Sequence, residues 1–366
     1  MKIGLIACHD AESTRKIDFH FWADVLERQG HDVCFLTVGY SLISKWKKDP
    51  RCPLPPYNQW KQVRPHLKKF SWLPLFHPIV KPLGNIPVLN KIFDLYPALL
   101  PKAAVKEFQG ADIVIIESGA GLMLVPKLKT ALPDTRFIYT VSDRLKTVGA
   151  HPAVIRGEET ALPLCDLIRV PADVMRKDFA SFPDLSGRIA FVPPGISKDV
   201  MDIDCENPYK NAKNVVSVGA MLFDPWMIRT LAESFPDWTF HLFGHAARLG
   251  TQHQNVIEYG ERPFAEIVPF IKYADIGLAP YRNGKNAEYL CQSSLKLTQY
   301  TYAGLPIVAP DFAAAGRNNI CAYQPENEQE LINAFEKAQT FDRSQINSSG
   351  IMGWDEVLEQ IIMKVA

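Results

Sequence analysis

Nowhere does this chain hold a run of about 18 or more apolar residues, so no membrane-spanning helix is expected. Its N-terminus enters an apolar strand directly as Lys2-Ile3-Gly4-Leu5-Ile6-Ala7, and Cys8-His9-Asp10 breaks that run short of signal-peptide length. No export signal is expected either. Cysteines are few and scattered: Cys8, Cys34, Cys52, Cys165, Cys205, Cys291 and Cys321 include no Cys-x-x-Cys pair and no histidine at zinc-ligand spacing. That argues against a structural zinc site and reads as reduced thiols of the cytoplasm. No Gly-x-Gly-x-x-Gly follows the first strand or the strand that opens the second half, which speaks against a dinucleotide-dependent dehydrogenase. Net charge is missing too, since 40 Lys and Arg balance 40 Asp and Glu.

What is present is a chain of 366 residues, 47% hydrophobic and 22% charged, too long for one typical core. Its charge is unevenly placed. Between Lys45 and Lys106 twelve basic residues (45, 47, 48, 51, 61, 64, 68, 69, 81, 91, 102, 106) stand against Asp49 and Asp94, leaving +10 there and −10 elsewhere. Trp46, Trp60, Phe70, Trp72, Leu73, Leu75, Phe76, Ile79, Val80 and Leu83 lie among them, with many prolines. Rings beside basic side chains suit the headgroup boundary of an anionic membrane. They equally suit a proline-rich excursion whose rings pack on the first domain. No nucleic-acid reading motif accompanies the stretch, so no nucleic-acid partner is expected.

Strand-like β-branched runs alternate with helical periodicity along the chain, the pattern of parallel α/β domains. In the first half the strands are 2–7, 33–38, 112–117, 137–141, 167–170 and 189–192, with helices at 16–28, 122–130 and 172–179 between them. Pro193-Pro194-Gly195 and Asn207-Pro208 interrupt the series, and strands at 215–218, 239–243, 256–259, 276–279 and 307–309 restart it. Two Rossmann-like domains facing a cleft are expected, 1–198 and 199–345, followed by a C-terminal helical segment, 346–366.

Ligands of such sheets bind beyond the carboxyl ends of the strands, so functional residues are sought there. Gly219 opens a turn that leads to a helix near Pro225, where glycine permits close approach and free amides favour phosphate. Asp224 fits the N-cap of that helix. Glu261 can accept both hydroxyls of a ribose, or pair with Arg262, or cap the helix near Phe264. Tyr281 can donate to a phosphate or pack the strand end. The most informative stretch is Ser293-Ser294-Leu295-Lys296-Leu297-Thr298-Gln299-Tyr300. Serine caps, free amides and an ammonium converge there at a helix start, a diphosphate site without a metal.

The runs Val218-Gly219-Ala220-Met221-Leu222-Phe223-Asp224-Pro225, Val256-Ile257-Glu258-Tyr259-Gly260-Glu261, Ala279-Pro280-Tyr281 and Ser293 to Tyr300 resemble the donor domain of the GumK-like glucuronosyltransferases, enzymes of the GT-B fold. The first half is similar through Cys8-His9-Asp10, Ile17-Asp18-Phe19-His20-Phe21, Ile115-Ile116-Glu117-Ser118-Gly119 and Ser142-Asp143. The resemblance implies inverting transfer of glucuronate from UDP-glucuronate to a polyprenyl-diphosphate-linked oligosaccharide, in bacterial exopolysaccharide synthesis, by an enzyme attached peripherally to the inner face of the plasma membrane. It implies no cofactor and no metal. Asp143 matches the catalytic base, and Met221, Glu261, Tyr281, Lys296 and Gln299 match donor-binding positions, with Gly219, Arg262, Ser294 and Leu295 beside them. Arg144 stands where a small residue is expected; contact with the donor carboxylate, an effect on Asp143, or a different acceptor or sugar are its open roles. A UDP-sugar epimerase and a non-catalytic sugar-nucleotide- or lipid-binding subunit remain alternatives.

Overall fold

The computed structural model describes residues 1–13, 16–49, 52–78, 91–284 and 287–365. Arg51, Ile79, Val80, Lys81 and Leu83 of the basic stretch lie outside them. The chain forms two compact units, one of residues 1–192 with 354–366, the other of 193–353.

Unit one is an eight-stranded sheet in the order β3-β4-β2-β1-β5-β6-β7-β8. Its strands are β1 (Lys2–Ala7), β2 (Asp32–Thr37), β3 (Trp60–Arg64), β4 (Leu67–Ser71), β5 (Ile113–Glu117), β6 (Arg136–Thr140), β7 (Leu167–Val170) and β8 (Ile189–Phe191). All neighbours are parallel except β3 and β4. Helices covering both faces explain why β1, β5 and β7 read as nearly unbroken apolar runs rather than alternating ones. Gly4 is required in β1 because a Cβ there would lie 2.5 Å from the Phe108 ring.

Unit two is a parallel six-stranded sheet ordered β11-β10-β9-β12-β13-β14. It comprises β9 (Asn214–Val218), β10 (Thr239–Phe243), β11 (Val256–Gly260), β12 (Ile276–Leu278), β13 (Ile307–Pro310) and β14 (Ile320–Tyr323). Its core is built on Met227, Ile228 and Leu231 of the Pro225–Ser234 helix and Leu331 and Phe335 of the Glu328–Gln339 helix. In each sheet the order reverses beside the unit's first strand, β1 or β9, which makes the ends of those strands the switch points where ligands seat.

Several expectations need adjustment. Residues 172–179 form a 3-10 helix, Asp173–Phe179, and 122–130 begins as 3-10 turns before the Val125–Ala131 helix. The β3–β4 hairpin, β14 and the Pro152–Ala161 helix were not foreseen. Lys and Arg fill the hairpin and mask its alternation: Lys69 is wholly buried, with its Nζ 2.9 Å from Asp10 and 2.6 Å from Glu12. Lys61 pairs with Glu12, Arg64 with Asp24 and Glu27, and Lys68 with Glu107. Much of the +10 is therefore neutralised within the unit. The rings divide as well. Trp60 packs on Phe70 and Phe108, and Trp72 on Tyr96. Trp46 and Leu75 stay outside, 81% and 65% exposed.

The units part after Val192 rather than at 198, because Ile196 bridges in parallel to Gly353 and its N–H donates to the Met352 carbonyl. The same bridge keeps 346–353 with unit two, and the terminal helix Trp354–Met363 packs on the Asp18–Arg28 helix of unit one. Trp354 stacks on Phe21 at 5.4 Å and meets Trp22 edge-on at 6.3 Å. Truncation of so large a buried ring removes transfer free energy and leaves a cavity. Trp354→Ala is accordingly expected to destabilise unit one by about 3 kcal/mol, read from the urea midpoint by circular dichroism. A loss under about 0.5 kcal/mol, the size of a surface change, would show that the helix is not anchored by this ring.

Candidate functional site

In unit two the sequence-predicted residues gather along the carboxyl rim of the sheet. After β9, Gly219 takes φ +83°, a conformation open to glycine, and its N–H donates to the Phe243 carbonyl at the end of β10. The turn then binds the next strand end: Phe223 bridges Tyr281, the Asp224 N–H donates to the Pro280 carbonyl, and the Arg282 N–H to the Leu222 carbonyl. Asp224 caps the Pro225–Ser234 helix, accepting from the Trp226 N–H at 3.0 Å. Met221 projects from this turn into solvent. Glu261 and Arg262 follow Gly260, which sits at φ +70° and accepts from the Gly244 N–H. Both are exposed, and Pro263 rather than Glu261 occupies the N-cap of the Phe264–Tyr273 helix.

The centre of the rim is the Leu295–Tyr302 helix. Ser294 is its N-cap, with Oγ accepting from the Leu297 N–H at 3.3 Å and lying 2.5 Å from Tyr281 Oη. Ser293 instead closes the preceding short helix, Leu290–Ser293. Leu295 and Gln299 flank the helix start, the first exposed and the second half-buried. At the other end, Gly304 at φ +69° and the Leu305 N–H donating to the Tyr300 carbonyl make a Schellman close. The helix is pinned from below. Tyr300 Oη accepts from the Val218 N–H at 2.8 Å and donates to the Val216 carbonyl, and its ring fills the space that a Cβ on Gly277 would need.

Lys296, in the first turn, is only 8% exposed. Its ammonium lies 4.9 Å from the centre of the Tyr281 ring, and among the described residues no carboxylate pairs with it. Burial without a counter-charge pulls its pKa from 10.5 down to about 7. The helix dipole adds to the cost of the charged form, since the N-terminus carries partial positive charge. Burial likewise pushes Tyr281 up to about 12, opposed by its Ser294 hydrogen bond and by Arg317. Arg317 went unrecognised in the sequence, although it lies in the loop after β13 where the strand-end rule applies. Its guanidinium donates to Thr298 Oγ1 at 2.9 Å, to Thr301 Oγ1 and to the Cys291 carbonyl, tying a second cation to the same helix. An anion at this helix start would meet free amides, the Ser294 and Tyr281 hydroxyls and an uncompensated ammonium.

In unit one, Asp143 lies just past β6 and is half-buried. Its N–H and that of Ser142 both donate to Ser118 Oγ, at 3.4 and 3.1 Å. Arg144 turns inward. It is 8% exposed, and its Nε donates to Asp178 Oδ2 at 2.6 Å. Its guanidinium therefore ties the Asp143 turn to the segment after β7. Among the described residues no three His, Cys, Asp or Glu are gathered as a metal ion would require.

Residues 5–171 match the family model described as glucuronosyltransferase GumK, N-terminal domain. Over 360 residues the chain is 27% identical to the UDP-glucuronate:glycolipid 2-beta-glucuronosyltransferase of Xanthomonas campestris pv. campestris, covering 98% of this chain and 88% of that protein. Among solved structures it resembles the E. coli structure described as trehalose-6-phosphate bound with UDP-2-fluoro glucose, with TM-score 0.64, 15% identity, and coverage of 99% and 96% of the two chains. It also resembles a glycosyltransferase from Rickettsia africae, with TM-score 0.57, 12% identity, and coverage of 100% and 94%. At such identities these two likenesses speak for the fold alone. Taken with the relatives, the two parallel sheets define a glycosyltransferase of the GT-B class. More narrowly, the chain is similar to the GumK glucuronosyltransferases: residues 5–171 match the model of their N-terminal domain, and the similarity to the Xanthomonas enzyme covers 98% of the chain.

The desolvated amine generates a prediction about stability. A lysine whose folded pKa is depressed adds stability above its unfolded pKa near 10.5 and loses it as pH falls through about 7. Lys296→Met keeps the apolar stem and removes that penalty. Its melting temperature at pH 6 should exceed the parent's, with the gap closing by pH 10. A lower melting temperature across that whole range would mean that the ammonium is solvated or paired.

Proposed function

We propose that the chain is an inverting, metal-independent transferase that moves glucuronate from UDP-glucuronate to a lipid-linked oligosaccharide at the inner face of the plasma membrane. The observation that carries this reading is Lys296, a buried amine with no carboxylate partner among the described residues, at a capped helix start where a diphosphate would supply negative charge. In this reading Gly219 and Met221 offer close backbone approach, Glu261 takes the ribose hydroxyls, and Arg262, Leu295 and Gln299 border the donor. The Asp143 carboxylate removes the proton from an acceptor hydroxyl, whose oxygen attacks the anomeric carbon on the face opposite UDP. The bond from that carbon to the β-phosphate oxygen breaks, configuration inverts, and the charge growing on the diphosphate is met by Lys296, Ser294, Tyr281 and the helix amides. The Xanthomonas relative, named for a glycolipid acceptor, supports the lipid linkage.

No helix is long and apolar enough to cross a membrane among the described residues. Membrane contact in this reading falls to a smaller surface than the whole basic stretch: the short helix Leu42–Trp46, with Leu42, Ile43 and Trp46 exposed beside Lys45, Lys47 and Lys48. Rings at the headgroup level and lysines above it suit anionic lipid.

Two measurements test these statements. Asp143→Asn cannot take a proton yet is nearly isosteric, so transfer should fall by about 100-fold or more while UDP affinity holds. Lys296→Ala should weaken UDP binding and also cost about 2 kcal/mol or more of transition-state stabilisation. Near-normal transfer by folded Asp143→Asn, or parent-like UDP affinity in Lys296→Ala, refutes the assignment. For the membrane, Trp46→Ala should reduce sedimentation with phosphatidylglycerol vesicles at low salt, and high salt should release the parent. Binding that ignores lipid charge and Trp46 alike would place the contact elsewhere.

A further inference from the structure

We propose that the end of β5 is a positioning device for Asp143: Ser118 fixes the backbone of the base, and Glu117 lays a second carboxyl beside it, so that the two are coupled in charge. This inference rests on the reading of Asp143 as the base.

Strand register sets the geometry. Glu117 pairs with Thr140 across β5 and β6, and Thr140 with Arg169 across β6 and β7, so the three side chains share one face of the sheet in a single row. The next residue, Ser118, continues the ladder by donating its N–H to the Thr140 carbonyl at 3.1 Å. Its Oγ then receives both N–H groups of the Ser142-Asp143 turn. One hydroxyl thus orients the two amides on which the placement of Asp143 depends, with Arg144 and Asp178 holding the far side of the turn.

Glu117 is secured from the opposite strand, accepting from the Cys8 N–H at 2.7 Å. Among the described residues the groups that face it are Cys8 from the end of β1, Asp18 from the start of the Asp18–Arg28 helix, and Asp143 from the end of β6. The 3-10 turns that follow it, Ala120–Leu124, carry no titratable side chain. The cation of the cluster is Arg169, which acts on Asp18; it donates to the Val192 carbonyl at 2.7 Å and keeps its Nη2 buried without a hydrogen-bond partner. Carboxyls gathered partly out of water cannot all be ionised cheaply, and desolvation raises the pKa of both Asp18 and Glu117. Glu117 is pushed up to about 8 by burial, then by Asp18 and Asp143, with the Cys8 bonds opposing. Below that pH the protonated form of Glu117 is favoured. As pH rises through 8, Glu117 ionises and makes Asp143 a stronger base for the acceptor proton.

The experiment compares the full-length parent with Glu117→Gln, Ser118→Ala, Ser118→Thr and Asp143→Asn, measuring kcat for sugar transfer from pH 5.5 to 9.5 and UDP affinity separately. The parent is expected to show a second ionisation in kcat between pH 7 and 9, and Glu117→Gln to lack it. Ser118→Ala should lower kcat by about tenfold or more with UDP affinity unchanged, and Ser118→Thr, which keeps the hydroxyl, should restore most of it. Stability supplies a readout independent of activity. A carboxyl with a raised folded pKa contributes stability below its unfolded pKa and loses it as pH rises through about 8. Glu117→Gln should therefore gain melting temperature over the parent at pH 9 relative to pH 5. A pH-invariant difference in melting temperature, or an unchanged alkaline ionisation in Glu117→Gln, overturns the charge coupling. A parent-like kcat in Ser118→Ala overturns the backbone role. Transfer surviving in Asp143→Asn would instead overturn the base reading, a separate outcome.

Discussion

The buried ammonium of Lys296 is the constraint to which the second unit is fitted. An amine taken out of water at the positive end of a helix dipole is costly in the charged form, and without a carboxylate nearby its pKa falls to about 7. Such an arrangement persists only where the surroundings hold it in place. Here the holding is done by Ser294 capping, the Gly304 close, Tyr300 bonded to the β9 backbone, and Arg317 bridging Thr298 and Thr301. None of these contacts touches the ammonium. They fix the helix start that carries the ammonium.

The first unit uses the same physics with the sign reversed. At the end of its sheet the carboxyls of Glu117, Asp18 and Asp143 interact, with the buried guanidinium of Arg169 acting on Asp18. Burial there favours the protonated forms of Glu117 and Asp18. A second ion cluster, Lys69 with Asp10 and Glu12, fastens the β3–β4 hairpin to the end of β1. Breaking it by removing one partner would strand a buried charge, which is far costlier than never having built it.

Much of this was legible in the sequence for a plain reason. Parallel strands buried on both faces must be continuous apolar runs, so β1, β5 and β10 announce themselves, and glycine turns mark where the rim begins. Ser294 and Lys296 were legible because helix caps have local chemistry. The hairpin was hidden because its lysines serve ion pairs with residues such as Asp10, Asp24 and Glu107, partners that lie far away along the chain. The ion pair of Arg144 was hidden for a related reason: it is made with Asp178, far from Arg144 along the chain. Glu117 and Ser118 were visible as a motif, but their relation to Asp143 depends on a cross-strand register that no local pattern contains.

The most direct test of this account is a calorimetric titration of UDP into the protein with chelator present, at pH 7 and pH 9, in buffers of different ionisation enthalpy. If the diphosphate is met by Lys296, its binding raises the depressed pKa of that amine, so protons are taken up and affinity falls as pH rises from 7 to 9. Lys296→Met should lose both the proton uptake and the pH dependence. Tight UDP binding without proton uptake, with an affinity indifferent to pH and to Lys296, would contradict the claim that this buried charge is the donor site.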